Sequence, residues 1–106
     1  MAQQQSLMRV LTVSQILRVY GKRFTRITER YSDGHNGRCA IGVLMSYFGW
    51  NGKEDTHAAS RLLDASITLR HVGISTSLVI RLNDSGMSFD EIADYLDETY
   101  GLTNDK

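Results

Sequence analysis

ISTSLVIRLNDSGMSFDEIADYLDETYGL, residues 74–102, spells two short helices and the turn that joins them. Ser88 and Glu91 have the spacing of a capping box: the Ser88 hydroxyl accepts from the N–H of Glu91, and the Glu91 carboxylate accepts from the N–H of Ser88. Met87 and Ile92 fall on the two positions of a hydrophobic staple. Gly86 suits the left-handed residue that closes the preceding helix, Ser75 suits the N-cap of that helix, and Gly101 terminates the last one. Leu78, Val79 and Leu82 supply the apolar face of the first helix. Phe89, Ile92, Ala93 and Leu96, with Tyr100, supply that of the second.

Upstream, Arg38 to Trp50 reads RCAIGVLMSYFGW, with one charge and apolar residues on every side, the pattern of a helix surrounded by the rest of the protein. Gly42 would let a neighbouring helix approach closely, and Gly49 or Gly52 would end the element. Asp55 or Thr56 then caps a third helix that buries Ala58, Leu62, Ala65, Leu69 and Val72, with Ala59, Leu63 and Ile67 widening the face and Gly73 stopping it. At the start of the chain Val13, Leu17, Tyr20, Phe24, Ile27 and Tyr31 recur at spacings of 4, 3, 4, 3 and 4. This predicts an opening helix from Thr12 or Ser14 to about Arg30, interrupted only by Gly21, which costs about 1 kcal/mol relative to Ala. Asp33 to Gly37, DGHNG, reads as a loop. The chain has no proline, so Gly, Asn, Asp and Ser must set every boundary. The expectation is an all-α fold: a compact bundle of about five helices around a buried central helix near residues 38–49. A single domain spans 10–102, between a tail at 1–9 and another at 103–106.

At 106 residues such a domain buries about 65% of its unfolded surface. The hydrophobic content of 42% and charged content of 23% are those of globular proteins and exclude disordered, collagen-like and membrane classes. No apolar run approaches a membrane span, and MAQQQSLMR lacks the basic-then-apolar order of a signal peptide, so no membrane partner and a cytoplasmic location are expected. The single cysteine, Cys39, cannot form an internal disulfide. Zero net charge hides a polarity: residues 1–38 carry a balance of +5 and residues 83–106 one of −6. Attraction between the ends of one chain, contact between two chains, or an external partner would each account for it. Asp97 and Glu98 sit near the C-terminus of the last helix, where the dipole disfavours them by about 0.3–1 kcal/mol each, and Arg18, Lys22 or Arg26 would compensate.

The stretch from Ile80 to Leu96, IRLNDSGMSFDEIADYL, resembles the first two helices of a helix-turn-helix DNA-binding domain. The third, recognition helix is missing, since only LTNDK follows Gly101, and the matching segment is acidic where a groove reader needs Lys and Arg. Cys39-Ala40-x-Gly42, followed downstream by Leu82-Asn83-Asp84 and by Ser88-Phe89-x-x-Ile92-Ala93-Asp94, is also similar to small uncharacterised helical proteins of bacteria and their phages. That resemblance brings no activity and implies an accessory protein rather than a metabolic enzyme.

Three constellations carry possible chemistry. Arg18, Lys22 and Arg26, at i, i+4 and i+8 of the predicted first helix with Arg23 and Arg30 beside them, form a basic stripe that would track a nucleic-acid backbone. The isoelectric point near 6.8 and the lack of interleaved aromatic residues argue against a dedicated binder. Tyr47, Phe48 and Trp50 cluster at the end of the core helix and would anchor a protein interface if exposed, or complete the core if not. Cys39, near a helix start and four residues after His35, is the candidate nucleophile, although a cysteine on an apolar helix more often packs as a hydrophobe. Cys39, His35, His57 and His71 lack the paired spacings of a zinc site, and the glycines form neither a P-loop nor a dinucleotide fingerprint, so no metal and no cofactor are expected. The function expected is therefore not enzymatic. It is that of a small helical accessory or adaptor protein acting on a protein partner or as a homodimer, with nucleic-acid binding through the basic stripe as the alternative.

Overall fold

The computed structural model describes residues 11–53 and 57–102. Among them lie five helices, α1 (Val13–Tyr20), α2 (Ala40–Tyr47), α3 (Ala58–His71), α4 (Thr76–Asp84) and α5 (Phe89–Tyr100), and two strands of two residues each, β1 (Thr25–Arg26) and β2 (Gly37–Arg38). The architecture is the expected helical bundle. α2 is its centre: every residue from Ala40 to Met45 is buried. Around it pack Ile16 and Leu17 of α1, Ala65 and Leu69 of α3 and Val79 of α4, while α5 lies chiefly along α1 and buries Ile92, Ala93 and Leu96. No helix among the described residues is long and apolar enough to cross a membrane.

The α4–α5 hairpin forms as its sequence dictates. Ser75 Oγ caps α4 by accepting from Leu78 N at 3.1 Å. The Ser88–Glu91 box closes in both directions, at 3.0 and 2.9 Å. Gly86 and Gly101 adopt the positive φ values, 104° and 67°, that a side chain would resist. α1 starts with a second capping box, in which Thr12 Oγ1 accepts from Gln15 N and Gln15 Oε1 accepts from Thr12 N. The proposed caps Asp55 and Thr56 lie outside the described residues, as do the tails 1–9 and 103–106; His57 occupies the N-cap position of α3.

The predicted first helix is corrected. It stops at Tyr20 rather than near Arg30, and a 3₁₀ turn over Gly21–Arg23 leads into β1. Phe24, Ile27 and Tyr31 thus lie in the non-helical segment around and after β1, where Phe24 and Tyr31 pack against the core and Ile27 is half-buried, and not on a helix face. Two tertiary contacts override the periodicity. The end of α1 presses on α5 so closely that a Cβ at Gly21 would lie 2.7 Å from the Phe89 ring. Beyond it the β-branched residues Thr25, Ile27 and Thr28 favour extended backbone, whose N–H groups find carbonyls across the chain: Thr25 N donates to Asn36 O at 3.0 Å and Ile27 N to Arg38 O at 2.9 Å. β1 and β2 pair in parallel, Thr25 with Gly37 and Arg26 with Arg38.

Two smaller expectations change as well. A Cβ on Gly42 would strike the carbonyl of Tyr31, so this glycine admits a loop backbone and not a second helix. Ala59, Leu63 and Ile67 do not widen the buried face of α3 but point to solvent.

A residue without an obvious signal in the sequence joins these pieces. The Asn83 side chain, fully buried near the end of α4, accepts from Ala40 N at 3.0 Å and donates to Ile27 O at 2.8 Å. It therefore satisfies one donor at the start of the core helix that has no intrahelical partner and one carbonyl of the loop with a single carboxamide. Asn83→Ala should leave both backbone groups buried and unpaired, a loss of about 2–4 kcal/mol. Urea unfolding of the variant checks this, and a loss under about 1 kcal/mol would show that water replaces the carboxamide.

Candidate functional site

Arg38 closes β2 immediately ahead of α2, where the helix dipole opposes a cation, and its side chain is nevertheless only 4% exposed. Among the described residues no carboxylate bonds to it. Its Nε donates to Ser46 Oγ at 2.9 Å, Nη1 to the carbonyls of His35 and Gly37 at 2.9 Å each and to Ser32 Oγ at 3.2 Å, and Nη2 approaches Asn51 O at 3.4 Å. The guanidinium plane lies against the rings of Phe24 and Trp50, at 4.4 and 5.8 Å from their centroids. Burial lowers its pKa, and the nearby Asp33 charge opposes that shift. A Cβ on Gly52 would overlap the guanidinium, which explains why the chain returns here through a glycine at φ 86°. Asp33 in turn orders the DGHNG loop: its Oδ1 accepts from His35 N at 2.8 Å and Gly37 N at 2.9 Å, and these bonds hold its carboxyl below the ordinary carboxylate range.

The cations singled out in the sequence do not form one stripe, because the helix that would align them ends at Tyr20. Arg18 faces α5, bridging Asp94 at 2.5 Å and Asp97 at 2.9 Å. Its hydrogen bond to Asp94 raises its pKa further. Asp97 also accepts from the buried Ser14 hydroxyl at 2.6 Å, so the unfavourable acid near the end of α5 is compensated from α1 by Arg18 and Ser14 together. Arg26 reaches back to Asn83 O at 2.6 Å, and Arg23 lies 4.2 Å from the centre of the Tyr20 ring. Lys22, Arg23 and Arg30 are exposed, on the 3₁₀ turn and the loop after β1.

The three aromatic candidates part company. Trp50 is buried, its indole N–H donating to Lys53 O at 2.9 Å. Tyr47 and Phe48 are half-buried and form a line of edge-to-face rings with Tyr20, at 5.3 Å and 5.2 Å between centroids. Cys39 is the N-cap of α2, accepting weakly from Gly42 N at 3.4 Å. Burial pushes its thiol pKa up, the Gly42 contact works the other way, and the Asp84 charge adds to the rise. It lines a groove of about 340 Å³ with Glu29, Arg30, Tyr31, Ile80 and Asp84. No group of three His, Cys, Asp or Glu residues suited to a metal occurs among the described residues.

The sequence reading missed the outer face of α3. Leu63 is 56% exposed and Ile67 48%, one turn apart on the same ridge, with exposed Ala59 a turn earlier and Val72 37% exposed just past the helix. On the opposite side this 14-residue helix fully buries only Ala65 and Leu69. The available signal was the second apolar set itself, since Ala59, Leu63 and Ile67 repeat at i, i+4 and i+8, centred about 140° around the helix from the midpoint of Ala65 and Leu69. No protein-family model matches the chain, and neither does any curated protein or any solved structure.

Two outcomes follow for the Arg38 loop. Arg38→Lys should cost about 2–4 kcal/mol in urea unfolding, because an ammonium on a flexible stem cannot reach Ser32, Ser46 and the loop carbonyls together. A loss below about 1 kcal/mol would show that the guanidinium fork does not hold the loop. Because the folded pKa of Asp33 lies below its unfolded value, its contribution to stability is present above about pH 4 and lost as pH falls through the folded pKa. Stability curves of wild type and Asp33→Asn should therefore differ at neutral pH and converge in acid.

Proposed function

We propose that the protein is a small helical accessory or adaptor protein of the cytoplasm that acts by protein–protein contact, with the outer face of α3 as its contact surface. The observation that carries this reading is the exposed Leu63–Ile67 ridge on a helix whose buried side is small. A second copy of the chain is the partner to test first. In an antiparallel pairing Leu63 of one helix meets Ile67 of the other, and the basic end, Arg70 and His71, lies against the uncharged start, Ala59 and Ser60, so no like charges confront one another. The ridge falls well short of the ~800 Å² per partner of a standard interface, so the association belongs to the weak, transient class. Tyr47 and Phe48 keep a place in this reading as a second half-open patch, while buried Trp50 acts from within the core. The reading assigns no catalysis to Cys39, whose burial and raised pKa suit packing better than nucleophilic attack.

Nucleic-acid binding stands as the alternative, and it would rest on exposed Lys22, Arg23 and Arg30, with Arg18 and Arg26 already engaged. Sedimentation velocity from micromolar to millimolar concentration tests the leading reading. A concentration-dependent dimer in wild type that is lost in Leu63→Glu and Ile67→Lys, with melting temperatures unchanged, is the expected result. A monomer throughout, together with salt-sensitive anisotropy of labelled DNA or RNA, would replace it with the alternative.

A further inference from the structure

Between β1 and β2 the chain crosses α2 and α4 through residues 27–31, and both ends of that crossing are firmly tied. Ile27 donates to Arg38 O at 2.9 Å and accepts from Asn83 Nδ2 at 2.8 Å. Tyr31 O accepts from Cys39 N at 3.2 Å, and its carbonyl sits where a Cβ of Gly42 would be. The three residues between, Thr28, Glu29 and Arg30, are exposed. Glu29 has φ 72°, the single positive value outside glycine among the described residues. A glutamate there is strained, since its Cβ crowds the following carbonyl. The bond that holds it is Glu29 N to Asp84 Oδ1, long at 3.3 Å and open to solvent. Asp84 is the last residue of α4, where the helix dipole disfavours a carboxylate. Glu29, Arg30 and Asp84 form the walls of the groove that Cys39 and Ile80 also line, and Cys39 itself is only 4% exposed.

We propose that residues 28–30 are a strap latched by Asp84, and that lifting this strap, without unfolding the domain, is what opens the groove and admits small electrophiles to the Cys39 thiol. A weak, solvent-exposed hydrogen bond works against local backbone strain, so the closed and open arrangements lie close in free energy. The firm ties at Ile27 and Tyr31 confine the opening to three residues. Such an opening exposes little surface and leaves α2, α4 and the core in place. The latch has a second effect on the same thiol: the Asp84 charge, together with burial, keeps Cys39 protonated while the strap is closed.

Alkylation of the full chain by iodoacetamide, followed by intact mass across urea concentrations below the unfolding transition, tests the strap. Wild type should react slowly at a rate nearly independent of urea, as a local opening requires. Asp84→Ala should react about fivefold faster, and Glu29→Gly, which relieves the strain of the closed strap, about threefold slower. Asp84→Asn keeps an acceptor oxygen and removes the charge. Its rate, corrected for thiolate fraction from a pH–rate profile, should stay within about twofold of wild type, which separates latching from electrostatics. Rates that rise with urea in step with global unfolding, an Asp84→Ala rate equal to wild type, or a Glu29→Gly rate above it would each overturn the proposal.

Discussion

One buried carboxamide holds the segments of this fold in register. Asn83 meets the first N–H of the central helix with its oxygen and the carbonyl of Ile27 with its nitrogen, and it does so with no water-facing atom of its own. Hydrophobic burial gathers α1, α3 and α4 around α2 and lays α5 along α1, but it does not say where along its neighbour each must sit. A hydrogen bond to a particular backbone group does, because a shift of one residue would leave a buried donor or acceptor unpaired. From that register the crossing over Gly42 follows, and from the crossing follow the strained Glu29 and the groove beside Cys39.

Arg38 does for the loop what Asn83 does for the helices. A guanidinium that bonds to hydroxyls and carbonyls, and lies against Phe24 and Trp50, serves as the small core of a segment too polar to have an apolar one. The charge imbalance between the two ends of the chain has a partly internal answer. Arg18 and Ser14 take up Asp94 and Asp97, docking α1 along α5. A pair of this exposure contributes little to stability and more to orientation, and it leaves the remaining exposed cations spread over a turn and a loop.

The elements with self-contained signals were legible from the sequence. The α4–α5 hairpin, the apolar central helix and the glycine stops at Gly73, Gly86 and Gly101 all form where their residues place them. The helical spacing from Val13 to Tyr31 is a coincidence: Val13, Leu17 and Tyr20 lie on α1, whereas Phe24, Ile27 and Tyr31 lie in the non-helical segment around and after β1. With it went the basic stripe, whose members now point to different neighbours. Of Tyr47, Phe48 and Trp50, which the sequence offers together as interface anchors or core residues, Trp50 is buried and the other two are half-buried. Leu63 and Ile67 were placed on the buried face because periodicity identifies an apolar side without saying whether anything covers it.

Local chemistry alone, in caps, staples, left-handed glycines and the period of apolar residues, determined that this chain is a helical bundle centred near residues 38–49, where the structure has α2 over Ala40–Tyr47, since each of those signals acts within one turn or a few neighbouring residues. Tertiary structure decided where α1 ends, what Arg38 and Asn83 bond to, which side of α3 faces water, and that Glu29 is held in a strained conformation beside Cys39. Those outcomes depend on partners outside the local turn, such as Asn36 for Thr25, Asn83 for Ala40 and Asp84 for Glu29. A donor's need for an acceptor can be read from a single residue, whereas the identity of that acceptor depends on how the whole chain packs.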